Sequence, residues 1–286
     1  MEIIIGKTAG FCFGVNNAVI KAQDLLNQKR NIYCLGELVH NKQVTSNLEK
    51  NGLNIIDDIK SARENVIIRA HGEPQKTYVL ANELGIHIFD FTCPKVLRIH
   101  KIAKEYSSNG YYVFLIGHKK HPETIGTISY CGANSSIIEG YDDIPEKLNI
   151  FYKSNIKKLL VLVQTTYSLE KFSIIIEKIK NELENKSIEM RVENTICDAT
   201  KIRQEETKKI AKEVEAMIVI GGKHSSNTNK LYEISKIYCK NSFLIETKEE
   251  LNTAKISKFA KIGIMAGAST PKESINSVVE ILQHLW

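Results

Sequence analysis

Short runs of apolar residues alternate along the chain with longer segments in which apolar residues recur every three or four positions. The first long segment, 15–28, places Val15, Ala18, Val19 and Ala22 on one face of a helix. The short runs predict strands at 3–5, 32–35, 66–68, 86–89, 112–116, 159–163, 190–192, 217–220, 243–245 and 262–265. Alternation from end to end is typical of α/β proteins, in which mainly parallel sheets are covered by helices.

The chain also carries a threefold internal repeat. Cys12, Cys93 and Cys197 each follow a predicted strand and begin a predicted helix. Each is followed after 24 residues by a glycine at a strand end: Gly36, Gly117 and Gly221. Each is followed after 28 residues by a polar residue in a loop that opens a further helix: His40, His121 and Ser225. A third strand end carries Thr165 and Ser269, each 72 residues after its cysteine, and His71, 59 residues after Cys12.

Identical offsets in matching contexts predict three similar α/β/α units, spanning 13–93, 94–194 and 195–286. In a parallel α/β sheet, ligands bind beyond the carboxyl ends of the strands, where helices begin. The repeat-equivalent residues all lie at such ends. If the units surround a pseudo-threefold axis, their loops meet in a central cavity and the three cysteines meet near the axis.

Three thiolates in this arrangement suit a cubane iron–sulfur cluster in which one iron has no cysteine ligand. Zinc is the alternative, but structural zinc normally takes four ligands from closely spaced pairs, and these cysteines lie far apart in the sequence. Helix N-termini beside the cysteines favour the thiolate form. Any one of them alone would more often be a buried free cysteine. The other three, Cys34, Cys131 and Cys239, have no repeat equivalence and are interpreted as core or surface residues.

The remaining repeat loops supply hydroxyls, amides and imidazoles at helix N-termini, which together form a cradle for phosphate oxygens. The residues are His40, His71, His121, Ser225, Ser226, Asn227 and Ser269. Taken singly, each would be interpreted as a helix cap or a surface residue. Glu123 differs from these residues because it brings a carboxyl group to a site that is otherwise rich in hydrogen-bond donors. A carboxyl group beside a cluster and an anion should have a raised pKa, which suits a proton donor, although Glu123 also fits a simple helix N-terminus.

Composition bounds the function further. The chain has 286 residues, 43% of them hydrophobic and 25% charged, as in an ordinary globular protein, and no apolar run reaches the ~20 residues of a membrane span. The N-terminus lacks the basic region of a signal peptide, so we expect a cytoplasmic protein without a membrane partner. In that compartment six cysteines favour metal or redox chemistry over disulfides.

The net charge of +6 comes mostly from lysine. Because the lysines are spread along amphipathic helices, as in 201–209, we interpret that segment as a solvated helix face and expect no nucleic-acid partner. The mild positive field would attract an anionic substrate or an acidic electron donor.

Eight stretches in order along almost the whole chain resemble the hydroxymethylbutenyl diphosphate reductase family, also called IspH or LytB. They are GFCFGV at 10–15, LVHN at 38–41, RAHG at 69–72, TCP at 92–94, HPE at 121–123, QTT at 164–166, SSN at 225–227 and AGASTP at 266–271.

The resemblance implies the last step of the non-mevalonate (MEP) isoprenoid route, in which hydroxymethylbutenyl diphosphate is reduced by two electrons and loses its hydroxyl as water. It implies a [4Fe-4S] cluster on Cys12, Cys93 and Cys197 with one open iron site, protons from Glu123, and a hydroxyl placed by Thr165. The diphosphate would lie on the seven donor residues listed above. The implied electron donor is a ferredoxin or flavodoxin, the expected state is a monomer, and residues 1–12 would close the sheet of the third unit.

Two other classes of protein remain open on the residues alone. A non-enzymatic iron–sulfur sensor would hold a cluster but would need neither Glu123 nor the anion-binding loops. A small-anion-binding α/β protein would hold structural zinc. Metal and sulfide analysis separates the zinc protein from the other two.

Overall fold

The computed structural model describes residues 2–285 as an α/β protein with three parallel sheets. The strands are β1 (Glu2–Ile5), β2 (Ile32–Leu35), β3 (Leu53–Ile56), β4 (Asn65–Ile68), β5 (His87–Asp90), β6 (Tyr112–Ile116), β7 (Ser135–Ile138), β8 (Lys158–Val163), β9 (Glu189–Val192), β10 (Ala216–Ile220), β11 (Ser242–Ile245) and β12 (Lys261–Ala266). The α-helices are α1 (Phe13–Gln28), α2 (Lys42–Lys50), α3 (Gln75–Glu83), α4 (Pro94–Ser108), α5 (Pro122–Ile128), α6 (Ile144–Lys153), α7 (Leu169–Leu183), α8 (Asp198–Ala211), α9 (Ser226–Tyr238), α10 (Thr253–Ile256) and α11 (Lys272–His284).

The three sheets have one topology. Their strand orders are β3-β2-β4-β5, β7-β6-β8-β9 and β11-β10-β12-β1, with every neighbouring pair parallel. The N-terminal strand β1 pairs with β12, so it completes the third sheet from the opposite end of the sequence. The prediction of three similar α/β units with parallel sheets is therefore confirmed.

The described residues divide into two compact units. The two-sheet unit comprises 21–38 and 52–197 and contains the first and second sheets. The one-sheet unit comprises 2–20, 39–51 and 198–285 and contains the third sheet together with α2. The boundaries at 13–93, 94–194 and 195–286 stay a prediction, as do the pseudo-threefold axis and the central cavity.

Inner strands form the core of each unit. Every residue of β6 and β10 is buried, and the apolar faces of helices such as α7 and α11 pack against the sheets. Parallel strands covered on both sides have this continuous apolar composition, which explains why the sequence predicts them readily. No α-helix in residues 2–285 combines the length and the hydropathy that a membrane crossing needs.

Two features of the fold differ from the sequence expectation. The apolar pattern does not predict β3 and β7, which lie at sheet edges and whose sequences, LNII and SSII, contain one and two polar residues in four. The segment 201–209 has the expected solvated face, on which Lys208 and Lys209 are exposed, but the polar character of its other side was not expected. It lies in α8, where Arg203, Gln204 and Thr207 are buried, so only one side of this helix is exposed to solvent.

Candidate functional site

Each of the three repeat cysteines is tied to its sheet by the same hydrogen bond. The amide of Cys93 donates to the Ala70 carbonyl (3.0 Å), that of Cys197 to the Thr165 carbonyl (3.1 Å), and that of Cys12 to a carbonyl at the end of β12 (3.0 Å). In every sheet the cysteine follows one strand and the acceptor lies two residues past the end of the neighbouring strand, so the three bonds join equivalent points beyond the strand ends. The equivalence inferred from the offsets is therefore visible in the backbone.

The repeat glycines show a second threefold pattern. The amides of Gly36, Gly117 and Gly221 donate to the last residues of the neighbouring edge strands, Ile56, Ile138 and Ile245, at distances of 2.8, 2.9 and 2.9 Å. Gly36 and Gly221 have φ angles of +71° and +148°, which favour glycine. The chain thus turns away from each inner strand at an equivalent point and enters a loop of the candidate site.

The repeat cysteines have the properties of ligands rather than of core residues. Cys12, Cys93 and Cys197 form no disulfide and have intermediate exposure. Cys93 is the N-cap of α4, and the Cys12 sulfur accepts a hydrogen bond from the Val15 amide at 3.5 Å in the first turn of α1. Backbone N–H groups at a helix start stabilise a thiolate. The donor set therefore fits an iron–sulfur cluster, which requires deprotonated sulfur.

The other three cysteines lack these properties. Cys34, Cys131 and Cys239 are buried. Burial raises the pKa of Cys34 to about 12 and that of Cys131 to about 12, so both thiols stay protonated. This agrees with their interpretation as structural residues.

In the two-sheet unit, Glu123 and Thr165 form a buried pair at the end of β8. The Glu123 carboxyl is only 2% exposed, and its two oxygens accept hydrogen bonds from the Thr165 amide and the Thr165 hydroxyl, each at 2.6 Å. Burial raises the pKa of Glu123 to about 7, although the Thr165 hydrogen bonds act in the opposite direction. A carboxyl group with this pKa exchanges its proton near neutral pH, as a proton donor must.

Hydrogen bonding also sets the tautomer of His121. Its Nδ1 atom accepts from the Glu123 amide at 3.2 Å, so in the neutral imidazole the proton lies on Nε2. The ring of His71 stands edge-on to that of His121, with 5.4 Å between centroids and an interplanar angle of 87°. The predicted site residues His71, His121, Glu123 and Thr165 are thus brought together in this unit.

The one-sheet unit gathers the remaining anion-binding candidates. The Ser269 hydroxyl donates to the His40 carbonyl at 3.0 Å, which fixes the loop before α2. Ser225 caps α9 by accepting from the Thr228 amide at 3.3 Å, and Ser226 and Asn227 form the first turn of that helix. Asn227 is only 3% exposed, and within residues 2–285 its Nδ2 atom has no hydrogen-bond acceptor. A buried donor of this kind is costly unless a ligand satisfies it.

Two residues that support the site were not among the predicted ones. A Cβ atom at Gly222 would lie 2.5 Å from the His40 carbonyl oxygen, so this glycine permits the close approach of the two loops. Gln164 is buried beside Thr165, and its Oε1 atom accepts from the His118 amide at 3.0 Å while its Nε2 atom donates to Thr166. Gln164 belongs to the QTT stretch and Gly222 follows Gly221, but the contacts to His118 and His40 are long-range and leave no periodic signal in the sequence.

Comparisons with known proteins agree over nearly the whole chain. A family model described as LytB protein matches residues 3–283. The 4-hydroxy-3-methylbut-2-enyl diphosphate reductase of Clostridioides difficile (strain 630) is 42% identical over 288 residues, covering 100% of both chains. The reductase of the same name from Aquifex aeolicus (strain VF5) is 38% identical over 291 residues, covering 100% of this chain and 97% of its own.

Two solved structures are similar as well. The E-1-hydroxy-2-methyl-but-2-enyl-4-diphosphate reductase from Plasmodium falciparum aligns with a TM-score of 0.91 at 30% identity, covering 99% of this chain and 88% of its own. A structure of (E)-4-hydroxy-3-methyl-but-2-enyl diphosphate reductase, the terminal enzyme of the non-mevalonate pathway, aligns with a TM-score of 0.71 at 38% identity, covering 99% and 100%.

Proposed function

This chain belongs to the LytB family, and we propose that it reduces 4-hydroxy-3-methylbut-2-enyl diphosphate at the strand-end residues described above. The enzyme is a reductase of the non-mevalonate isoprenoid pathway. Its reaction breaks the allylic carbon–oxygen bond, consumes two electrons and two protons, and yields water with isopentenyl or dimethylallyl diphosphate. One proton leaves with the hydroxyl as water and the other is added to carbon.

The observation that carries the proposal is the pair of Glu123 and Thr165. A buried carboxyl with a pKa of about 7 is joined to Thr165, whose carbonyl accepts from the amide of the candidate ligand Cys197. This supports a proton donor that is connected to a candidate sulfur ligand through a single residue, Thr165. A cluster sensor without catalysis would have no use for a buried, protonated carboxyl group, which favours the enzyme.

Cys12, Cys93 and Cys197 would hold the cluster, which we take to be [4Fe-4S] with one iron free of cysteine. When bound, such a cluster supplies electrons and a Lewis-acidic iron for the leaving hydroxyl. The hydroxyl of Thr165, held against Glu123, would orient the substrate hydroxyl, and Glu123 would deliver protons to it. The low exposure of this pair excludes bulk water from the proton transfer.

The diphosphate would be bound by side-chain donors of the repeat loops. His121 offers its Nε2 proton because its Nδ1 atom is already an acceptor, and Asn227 offers a buried amide that lacks an acceptor among the described residues. Ser225 and Ser226 lie at the N-terminus of α9, whose dipole favours an anion. His40, His71 and Ser269 would complete the set.

An acidic ferredoxin or flavodoxin would suit the net charge of +6 as the electron donor. Six cysteines that form no disulfide suit a reducing compartment, and we propose a monomer in the cytoplasm.

Anaerobic purification followed by iron and sulfide analysis, and then by reduction of the substrate with a chemical reductant, tests the proposal. We expect a brown protein with equal iron and sulfide that forms both diphosphate products. A colourless protein with bound zinc would contradict the cluster. A brown protein that leaves the substrate unchanged would indicate a sensor instead.

Replacing Thr165 with valine is expected to shift the pH dependence of turnover. The hydroxyl hydrogen bond of Thr165 lowers the pKa of Glu123, so its loss raises that pKa and moves the alkaline decline of kcat to higher pH. Thr165→Ser keeps the hydroxyl and should keep the wild-type profile. Identical pH profiles for the valine variant and the wild type would contradict the pairing.

Replacing Gly222 with alanine is expected to weaken substrate binding. The added methyl group overlaps the His40 carbonyl oxygen, so the His40 loop must move. We expect KM to rise about tenfold, equivalent to about 1.4 kcal/mol, with a smaller change in kcat. The matched control is Gly140→Ala, because a Cβ atom there meets nothing within 4 Å. Equal KM values for the two variants would show that the His40 loop does not contribute to substrate binding.

A further inference from the structure

The buried face of α8 is polar, which is unusual for a helix packed in a protein interior. Thr200, Arg203, Gln204 and Thr207 are all less than 7% exposed, whereas apolar burial is confined to the end of the helix at Ile210 and Ala211. A buried helix face is normally apolar, because buried polar groups cost free energy unless they are hydrogen-bonded. The composition of this face therefore indicates a specific polar partner.

That partner includes the segment that leads to Cys12. Arg203 is 4% exposed, and its Nη2 atom donates to the Gly10 carbonyl at 2.7 Å while Nη1 donates to the Ala199 carbonyl at 3.1 Å. Gly10 has a φ angle of +105°, a conformation that side chains disfavour. The guanidinium thus holds a sharp turn two residues before the candidate ligand.

One turn further along α8, Glu206 binds the start of the same segment. Its carboxylate accepts from the Lys7 amide at 2.7 Å, the Thr8 amide at 3.0 Å and the Thr8 hydroxyl at 2.5 Å. Burial raises the pKa of Glu206, but the hydrogen bonds from Thr8 and Lys7 outweigh it and hold the pKa below its ordinary value. An ionised carboxylate therefore satisfies backbone donors that lie just past the end of β1.

We propose that Arg203 and Glu206 are positioning residues that fix the 6–11 segment, and with it the Cys12 thiol, on the helix that begins one residue after Cys197. Because Cys12 is a candidate ligand, this clamp would hold its thiol in the position that the cluster needs. The inference rests on the proposed function, since it takes Cys12 and Cys197 as cluster ligands.

Glu206→Ala in the full-length, cluster-loaded protein tests the clamp. We expect iron release to an anaerobic ferrous chelator to be at least about tenfold faster than in the wild type, because three hydrogen bonds to a charged acceptor are lost. Glu206→Gln keeps an acceptor oxygen, so its rate of iron release should lie between those of the wild type and Glu206→Ala. Glu205→Ala changes an exposed carboxylate on the same helix and should release iron at the wild-type rate. Equal release rates in Glu206→Ala and Glu205→Ala would overturn the clamp.

A second measurement separates positioning from stability and needs no cluster. In the cluster-free proteins, alkylation of Cys12 by iodoacetamide is compared with that of Cys93 in the same molecule by mass spectrometry. We expect the ratio to rise several-fold in Glu206→Ala but not in Glu205→Ala. An unchanged ratio, or a parallel rise at both cysteines that follows a lowered Tm, would overturn the clamp. A wild-type protein that binds no cluster would contradict the proposed function and leave this comparison valid.

Discussion

Replacing Cys93 with serine is expected to remove the cluster and, with it, essentially all reductase activity. Only three cysteines occupy the repeat-equivalent positions, so no spare thiol can replace the lost ligand. The loss should exceed the roughly 100-fold that is typical of an outer-shell change at a metal site. Iron and sulfide content after anaerobic reconstitution, together with turnover, measures the effect.

The matched control is Cys131→Ala, since Cys131 is buried and its thiol donates to the Thr127 carbonyl. This variant should keep the wild-type iron content and turnover and lose about 1 kcal/mol of stability. Full iron content and turnover in the Cys93 variant would exclude Cys93 as a ligand. Loss of iron from a folded Cys131 variant would show that iron content does not distinguish the two classes of cysteine.

The repeat could be predicted from the sequence because parallel α/β units place functional residues at equivalent strand ends. Cys93 and Cys197 each precede a helix. Gly117 and Gly221 follow at the same offset, because the intervening helices have 15 and 14 residues and the strands after them have 5 residues each. The inner strands could be predicted for a related reason. Burial on both faces requires a continuous apolar run, whatever the rest of the chain contains.

What the sequence did not reveal depends on contacts between distant segments. The His121 tautomer follows from an acceptor geometry that the motif letters do not encode. The overlap between Gly222 and the His40 carbonyl joins residues far apart in the chain. The charge pattern of α8 did not reveal the buried polar face of this helix. Arg203 and Glu206 have the spacing of solvated residues, but they bind backbone groups near Cys12. Periodicity reports which side is buried only where that side is apolar.

Replacing Glu123 with glutamine is expected to lower kcat by more than about 100-fold, the lower range for losing a general acid. The amide has the same shape, and it can still accept from the Thr165 amide and donate to the Thr165 hydroxyl, so the pair is retained. The wild-type kcat should decline as pH rises through about 7, where Glu123 loses its proton, and the variant should lack this decline.

Stability separates a chemical role of Glu123 from a structural one. Its pKa is raised in the folded protein, so the stabilisation from the protonated carboxyl is complete below the ordinary pKa of 4.5 and is lost as pH rises through about 7. At pH 8 the wild type buries a carboxylate and the glutamine variant does not. We therefore expect Glu123→Gln to unfold at an equal or higher Tm at pH 8, although it is nearly inactive. Retained turnover would exclude Glu123 as the proton donor, and a lower Tm at pH 8 would assign the loss of activity to damaged structure.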